Sequence, residues 1–315
     1  MKISINSQYV DSPWGGGNLF IKNIYEYLVD KGHKVSFDLK DKNLDIILII
    51  NPRQFSTNTS YSYKRIAKYK LKNNNVKVVH RINECDERKN TDYVNNFILK
   101  SNTVADFSIF VSEWLFKIYI ERGFNKDKGS VIMSGSDNNI FNNINLKTWS
   151  LDSTLKIVTH HWGTHQNKGF EVYKKLDQML NENNWKNKIA FTFIGNLPKN
   201  FKFNNSKKIE PLSGLALAKE LKNHNLYITG SLFEPSGNHH IEAAQCGLPV
   251  MYINSGGTTE YLEKYGLEYD LNNLPEKIEE MINKYEYYFE LMTNYPFNSN
   301  KMCAEYENLF KSLIK

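Results

Sequence analysis

Short apolar runs alternate with segments of helical periodicity along most of the chain. KISIN (2–6), KVSFDL (34–39), DIILII (45–50), VKVVH (76–80), FSIFVS (107–112) and SVIM (130–133) have the length of strands. DIILII, FSIFVS and SVIM above all are apolar on consecutive residues, the mark of a strand covered on both faces in a parallel sheet. Residues 18–32 and 92–102 between them repeat apolar side chains at helical spacing. After a polar stretch at 142–153 the alternation restarts. LKIVTHH (155–161), IAFTFIG (189–195), NLYITG (225–230) and LPVMYI (248–253) read as strands, with helices at about 169–183, 213–223 and 238–246. The last 40 residues read as two helices split by NYPFNSN (294–300).

Two successive strand–helix series in 315 residues imply an α/β protein of two doubly wound, Rossmann-like domains facing each other across a cleft. The expected division is 1–148 and 149–297, with the final helix, 298–315, packing back on the first domain. No apolar run reaches the eighteen or so residues of a membrane span, and the N-terminal residues lack the apolar stretch of a signal peptide. Cys85, Cys246 and Cys303 are odd in number and lack metal-ligand spacing, which suits reduced residues in a cytoplasmic protein.

Charge is uneven. Residues 1–150 hold 22 Lys+Arg against 15 Asp+Glu, and the remainder 18 against 19. The stretch 61–77 carries five lysines and Arg65 without an acid, interleaved with Tyr61, Ile66, Tyr69 and Leu71. Such a helix offers a peripheral contact with an anionic membrane at its inner face, or else a solvated lysine-rich surface. No nucleic-acid motif accompanies the charge.

Candidate chemistry gathers at strand ends. Gly15–Gly17 follow the first strand, where an open sheet presents backbone N–H groups to a ligand. The spacing is not that of a dinucleotide fingerprint. His80 and Arg81 close VKVVH, with Asn83 and Glu84 just beyond. His160, His161 and His165 crowd the end of the strand at 155–161 and the loop after it. Adjacent histidines on extended chain point to opposite faces and no acid accompanies them, so no metal is expected. Lys168 stands before Gly169 and a helix, placed to meet a phosphate. Glu234 and Glu242 flank a Pro-Ser-Gly-Asn turn leading into another helix.

Together these segments resemble a GT-B glycosyltransferase of the retaining family 4. The resemblance rests on WGGGNLF, SIFVSEWLFKIYIERGF with VIMSGSDNNIF, Lys168-Gly169, and EPSGNHHIEAAQCGLPVMYINSGGTTEYL with its E-x7-E spacing. It covers residues 1 to about 265. It implies a nucleotide-sugar donor held by the second domain, UDP before GDP, and transfer with retention to a glycan or glycolipid hydroxyl in surface polysaccharide synthesis. Glu242 would hold the ribose and Glu234 the donor sugar. Ser236, Gly237, Asn238 and His239, with Gly16, Gly17 and Lys168, would hold the diphosphate. Leu212 lies in a loop that would meet the base, and His80 would face the reacting sugar. Tyr9, Asp11, Trp14, Asn83 and Glu84 are expected around the acceptor. The nucleotide-sugar is a co-substrate, with no cofactor or metal.

The family's usual arginine, five residues before the lysine, is replaced by Gly163, and the last arginine in the chain is Arg122. A bidentate phosphate fork is therefore absent from the second domain. Two further readings stay open: a partner protein that binds nucleotide without turnover, and a nucleotide-sugar epimerase.

Overall fold

The computed structural model describes residues 1–10, 16–53 and 58–315. The chain divides into two compact units, Met1–Gly135 with Ser299–Lys315, and Ser136–Asn298. Residues 136–148, grouped with the first domain on sequence pattern, lie in the second unit. Phe141 is buried there, Lys222 Nζ donates to Asn142 Oδ1 (2.9 Å), and Leu146 packs against Gly247.

The first unit contains β1 (Lys2–Ile5), α1 (Gly16–Asp30), β2 (Lys34–Ser36), β3 (Ile46–Ile49), α2 (Tyr63–Lys70), β4 (Lys77–Ile82), α3 (Val94–Asn102), β5 (Phe107–Phe110), α4 (Glu113–Glu121) and β6 (Gly129–Val131). Its sheet is parallel, in the order β2-β1-β3-β4-β5-β6. Strand β3 shows why the apolar residues run on without interruption. Ile46 and Leu48 enter the core beneath α1, while Ile47 and Ile49 enter the opposite core beneath α2. Both faces are covered, so neither can carry polar residues.

The second unit contains β7 (Leu155–His161), α5 (Phe170–Met179), β8 (Ile189–Gly195), β9 (Lys207–Ile209), α6 (Gly214–Leu221), β10 (Leu226–Thr229), α7 (Asn238–Gln245), β11 (Val250–Tyr252), α8 (Thr258–Leu262), β12 (Leu267–Glu268), α9 (Leu274–Asn283) and α10 (Tyr285–Met292). Its sheet, also parallel, runs β12-β11-β10-β7-β8-β9. The order reverses between β7 and β10, which makes a crevice at their carboxyl ends, where α/β sheets hold ligands. The chain ends in α11 (Ser299–Leu313), which returns to the first unit and buries Met302, Cys303, Tyr306 and Phe310 beside Phe20, Ile21 and Ile24 of α1.

The C-terminal segment thus holds three helices rather than two, because the chain also breaks at Lys284 (φ −116°, ψ 22°) between α9 and α10. In the 61–77 stretch Tyr61, Ile66 and Tyr69 are buried in the core under α2, Leu71 is exposed, and Lys70 pairs with Asp106 (2.9 Å). No helix among the described residues is long and apolar enough to cross a membrane.

Candidate functional site

The second unit concentrates polar groups at the β7/β10 switch point. Lys168 ends a single 3-10 turn (Gln166–Lys168) after β7, and Glu234 lies in the loop after β10. The two form an ion pair with only 6% and 2% of their residue surfaces exposed. Two glycines let these loops approach. Gly169 is left-handed (φ +77°), and a Cβ there would lie 2.2 Å from the Gly230 carbonyl oxygen; one on Gly230 would meet Val172 at 2.9 Å. Leu232 N–H then donates to Asn167 O (2.8 Å), tying the loop after β10 to the lysine turn.

A second pair lies beside the first. His160, near the end of β7, donates from Nε2 to Glu242 Oε2 (2.9 Å), and both residues are buried. An ionised carboxylate only accepts, so this bond fixes the proton on Nε2. Glu242 is the fifth residue of α7, whose entry requires Gly237. That residue is left-handed (φ +71°), and a Cβ there would meet His240 Nε2 at 2.5 Å. Ser236 and His239 are buried, and Asn238 is half-buried. The first turn of α7 thus adjoins both carboxylates, and its backbone N–H groups carry the partial positive charge of a helix start.

Beneath lies a packed polar layer. His161 Nε2 meets the Tyr173 hydroxyl, which also accepts from Gly230 N–H (3.1 Å), linking β7, α5 and β10. His239 Nε2 contacts Thr229 Oγ1 at 2.9 Å, and its ring lies 4.6 Å from that of His161. Burial, then the nearby Lys168 charge, holds His161 well below the usual imidazole range. For His239 burial leads, followed by His161 and Lys168; burial lowers His240 to about 3. Burial raises the Tyr173 phenol to about 12. Burial thus disfavours the charged form of each of these groups.

Gly163 and Leu212 are half-buried, Leu212 in the loop leaving the carboxyl end of β9. A Cβ on Gly163 would stand 3.5 Å from Lys168 Cε, so this position borders the lysine. Of the three histidines, His160 and His161 turn to different partners. Among the described residues no group of three or more His, Cys, Asp or Glu is arranged to hold a metal ion.

In the first unit, Gly16 and Gly17 form the first turn of α1, and a Cβ on Gly17 would meet nothing within 4 Å. Asn18 clasps the preceding loop, accepting from Val10 N–H (2.8 Å) and donating to Val10 O (2.9 Å). His80 is a correction. Strand β4 continues through Ile82, so His80 is an interior strand residue, not a carboxyl-edge one. It is 1% exposed, Nδ1 bonds Asn102 Oδ1 (2.8 Å), and burial lowers it to about 4. Arg81 takes the opposite face, its guanidinium 4.1 Å from the centre of the Phe20 ring.

Tyr9 packs against Tyr25 and Phe37 (ring centres 5.7 and 6.4 Å). Glu84 pairs with Arg53 (2.8 Å), and Asn83 beside it is half-buried. Asp11 and Trp14 lie outside the described residues. Sequence reading missed the His160–Glu242 and Lys168–Glu234 partnerships, for which separations of 82 and 66 residues leave no local signal. It also missed Phe233, whose positive φ (54°) has no mark in composition.

No family model matches the chain, and no curated protein matches it. Solved structures do match in fold. Anabaena Alr3699/HepE, crystallised with UDP and glucose and also with UDP-glucose, has a TM-score of 0.71 in the former complex. It is 15% identical over 99% of this chain and 100% of its own. A glycosyltransferase from Rickettsia africae ESF-5 scores 0.67, with 18% identity over 100% and 98%. Sucrose-phosphate synthase of Thermosynechococcus elongatus scores 0.69, with 15% identity over 99% and 98%. At such identities the likeness establishes the fold, the two-unit α/β architecture of GT-B glycosyltransferases.

Proposed function

We propose that this protein is a retaining glycosyltransferase that moves a sugar from a nucleoside-diphosphate sugar, UDP before GDP, to a hydroxyl of a glycan or glycolipid in surface polysaccharide synthesis. The observation that carries the reading is the pair of buried carboxylates beside a lysine and a helix start at the switch point of the second sheet. The UDP-glucose complex of HepE, which shares the fold, supports the choice of donor.

Lys168 is the cation for the departing diphosphate, where negative charge develops. As phosphate oxygens draw Lys168 away from Glu234, that carboxylate becomes available to hydroxyls of the donor sugar. Glu242 keeps His160 on one oxygen and offers its remaining lone pairs to the ribose. The N–H groups at Ser236–His239 add to diphosphate binding. The leaving phosphate takes the acceptor's proton, and no covalent glycosyl-enzyme forms. His80, bound to Asn102 inside the sheet, has no contact with substrate in this scheme. Asn83 and Glu84, with Asp11 and Trp14, remain the acceptor-side residues; Tyr9 supports that side through its ring packing. The site works in the cytoplasm, on a substrate that requires no metal.

The absence of arginine after Arg122 favours one second reading, a partner protein that binds nucleotide without transfer. Thermal unfolding with UDP, GDP, ADP, TDP and CMP tests both, on wild type and Glu242→Gln. A nucleotide at about 100 times its dissociation constant stabilises by roughly 2.7 kcal/mol. UDP should raise the midpoint of wild type and not of the variant, and donor hydrolysis should accompany binding. Binding without hydrolysis or transfer selects the partner protein; no response to any nucleotide removes the proposal.

A further inference from the structure

Phe233 is at odds with the fold around it. It stands at the carboxyl edge of the second sheet, one residue before Glu234, in the left-handed region (φ +54°). That conformation suits Gly or Asn and is an outlier for a bulky side chain. The strain does not serve to bury the ring. Phe233 is 41% exposed and outside the core that covers the sheet.

The neighbouring turn holds it there. Phe233 N–H donates to Ser255 Oγ (3.0 Å), and Gly257 N–H donates to Glu234 O (2.8 Å). Between them Gly256, itself left-handed (φ +65°), lies so close that a Cβ would stand 2.6 Å from Glu234 O and 2.9 Å from the Phe233 carbonyl carbon. The backbone at 233–234 is therefore fixed from both sides. Neither strain nor exposure benefits the ligand-free protein, and backbone strain of this kind gathers at ligand sites.

We propose that Phe233 is a stacking platform for the pyranose ring of the donor, and so a specificity-determining residue of the nucleotide-sugar site. This rests on the reading of that edge given under Proposed function. A pyranose shows C–H groups on its face and hydroxyls at its rim. An exposed aromatic takes the face through apolar contact, while the adjacent Glu234 carboxylate accepts from the rim. The nucleotide contributes no such face next to Glu234, since the helix start and Glu242 hold diphosphate and ribose. Phe233 should therefore distinguish nucleotide-sugar from nucleotide.

Calorimetric titration of UDP and UDP-glucose into wild type, Phe233→Gly and Phe233→Tyr tests this, with unfolding midpoints measured alongside. Glycine relieves the strain, so Phe233→Gly should unfold at or above the wild-type temperature. Its affinity for UDP should stay within about twofold, while that for UDP-glucose falls about tenfold or more. Phe233→Tyr, keeping the ring, should bind both as wild type does. A lowered midpoint in the glycine variant would make the ring structural and overturn the platform. Equal weakening of both ligands would assign the ring to the nucleotide, and no change in either would remove its role; both overturn the proposal. If wild type binds neither, the underlying donor-site reading fails with it.

Discussion

The Lys168–Glu234 pair makes a prediction opposite in sign to ordinary mutational intuition. Both residues are almost fully enclosed, at 6% and 2% exposure, so each charge depends on the other more than on water. Removing one partner of a buried pair costs about 3–5 kcal/mol, whereas replacing both with apolar groups is often close to neutral. Lys168→Met and Glu234→Met should therefore each destabilise the second unit by about 3–5 kcal/mol. At about 2–4 °C per kcal/mol for a unit of this size, the midpoint falls by about 6–20 °C. The double variant should lie above either single one, within about 5 °C of wild type. Scanning calorimetry suits the measurement because the two units can unfold as separate transitions. All three variants should lose nucleotide-sugar binding, which separates the pair's part in function from its part in stability. A double variant less stable than both singles would refute the reasoning, as would a single variant with an unchanged midpoint.

Two further outcomes are open to measurement. Gly163→Arg places a guanidinium beside Lys168, and the His165 ring, 3.2 Å from the new Cβ, is what must yield; UDP affinity should rise about tenfold, read by calorimetric titration, and no gain would show that the phosphates lie elsewhere. Glu307 joins α11 to α1 through Tyr27 (3.3 Å) and to the following turn through His33 (2.8 Å), and it pairs within α11 with Lys311 (2.7 Å), whose hydrogen bond leads the effects that lower its carboxyl to about 2. A carboxyl lowered by folding adds stability above its unfolded value, about 4.3, and that stability drains away as pH falls toward 2. Glu307→Gln should thus lower the first unit's midpoint at pH 7 and flatten its fall between about pH 4.5 and 2. Parallel wild-type and variant pH curves would contradict it.

Much of the architecture was legible because burial on two faces writes itself locally. The runs at 155–161 and 189–195 are the strands β7 and β8. Short edge strands did not write themselves: β9 and β12 have three and two residues, and a sheet partner, not composition, makes them strands. The extension of β4 through Arg81 and Ile82 came from pairing with Ile109 and Phe110, which removed His80 from the edge. The division at Gly135 was hidden because the polar stretch after it looks like a linker, yet Trp149 packs on Tyr285 and Lys222 holds Asn142.

The site follows the same division. Residue types at a strand–loop–helix junction are local, so Lys168-Gly169 and the Glu234–Glu242 spacing could be read from the chain. Their partners could not. Which carboxylate meets Lys168, and which histidine meets Glu242, depends on strand order, because the reversal between β7 and β10 brings residues 66 and 82 positions apart into contact. The strain at Phe233 likewise arises from the turn at 255–257, which only the folded sheet sets against it. Sequence by itself determined the chemical groups and their local frame, since these follow from backbone geometry over a few residues. Tertiary structure alone decided which groups neutralise, orient or strain one another, since those energies arise only from contacts made across the fold.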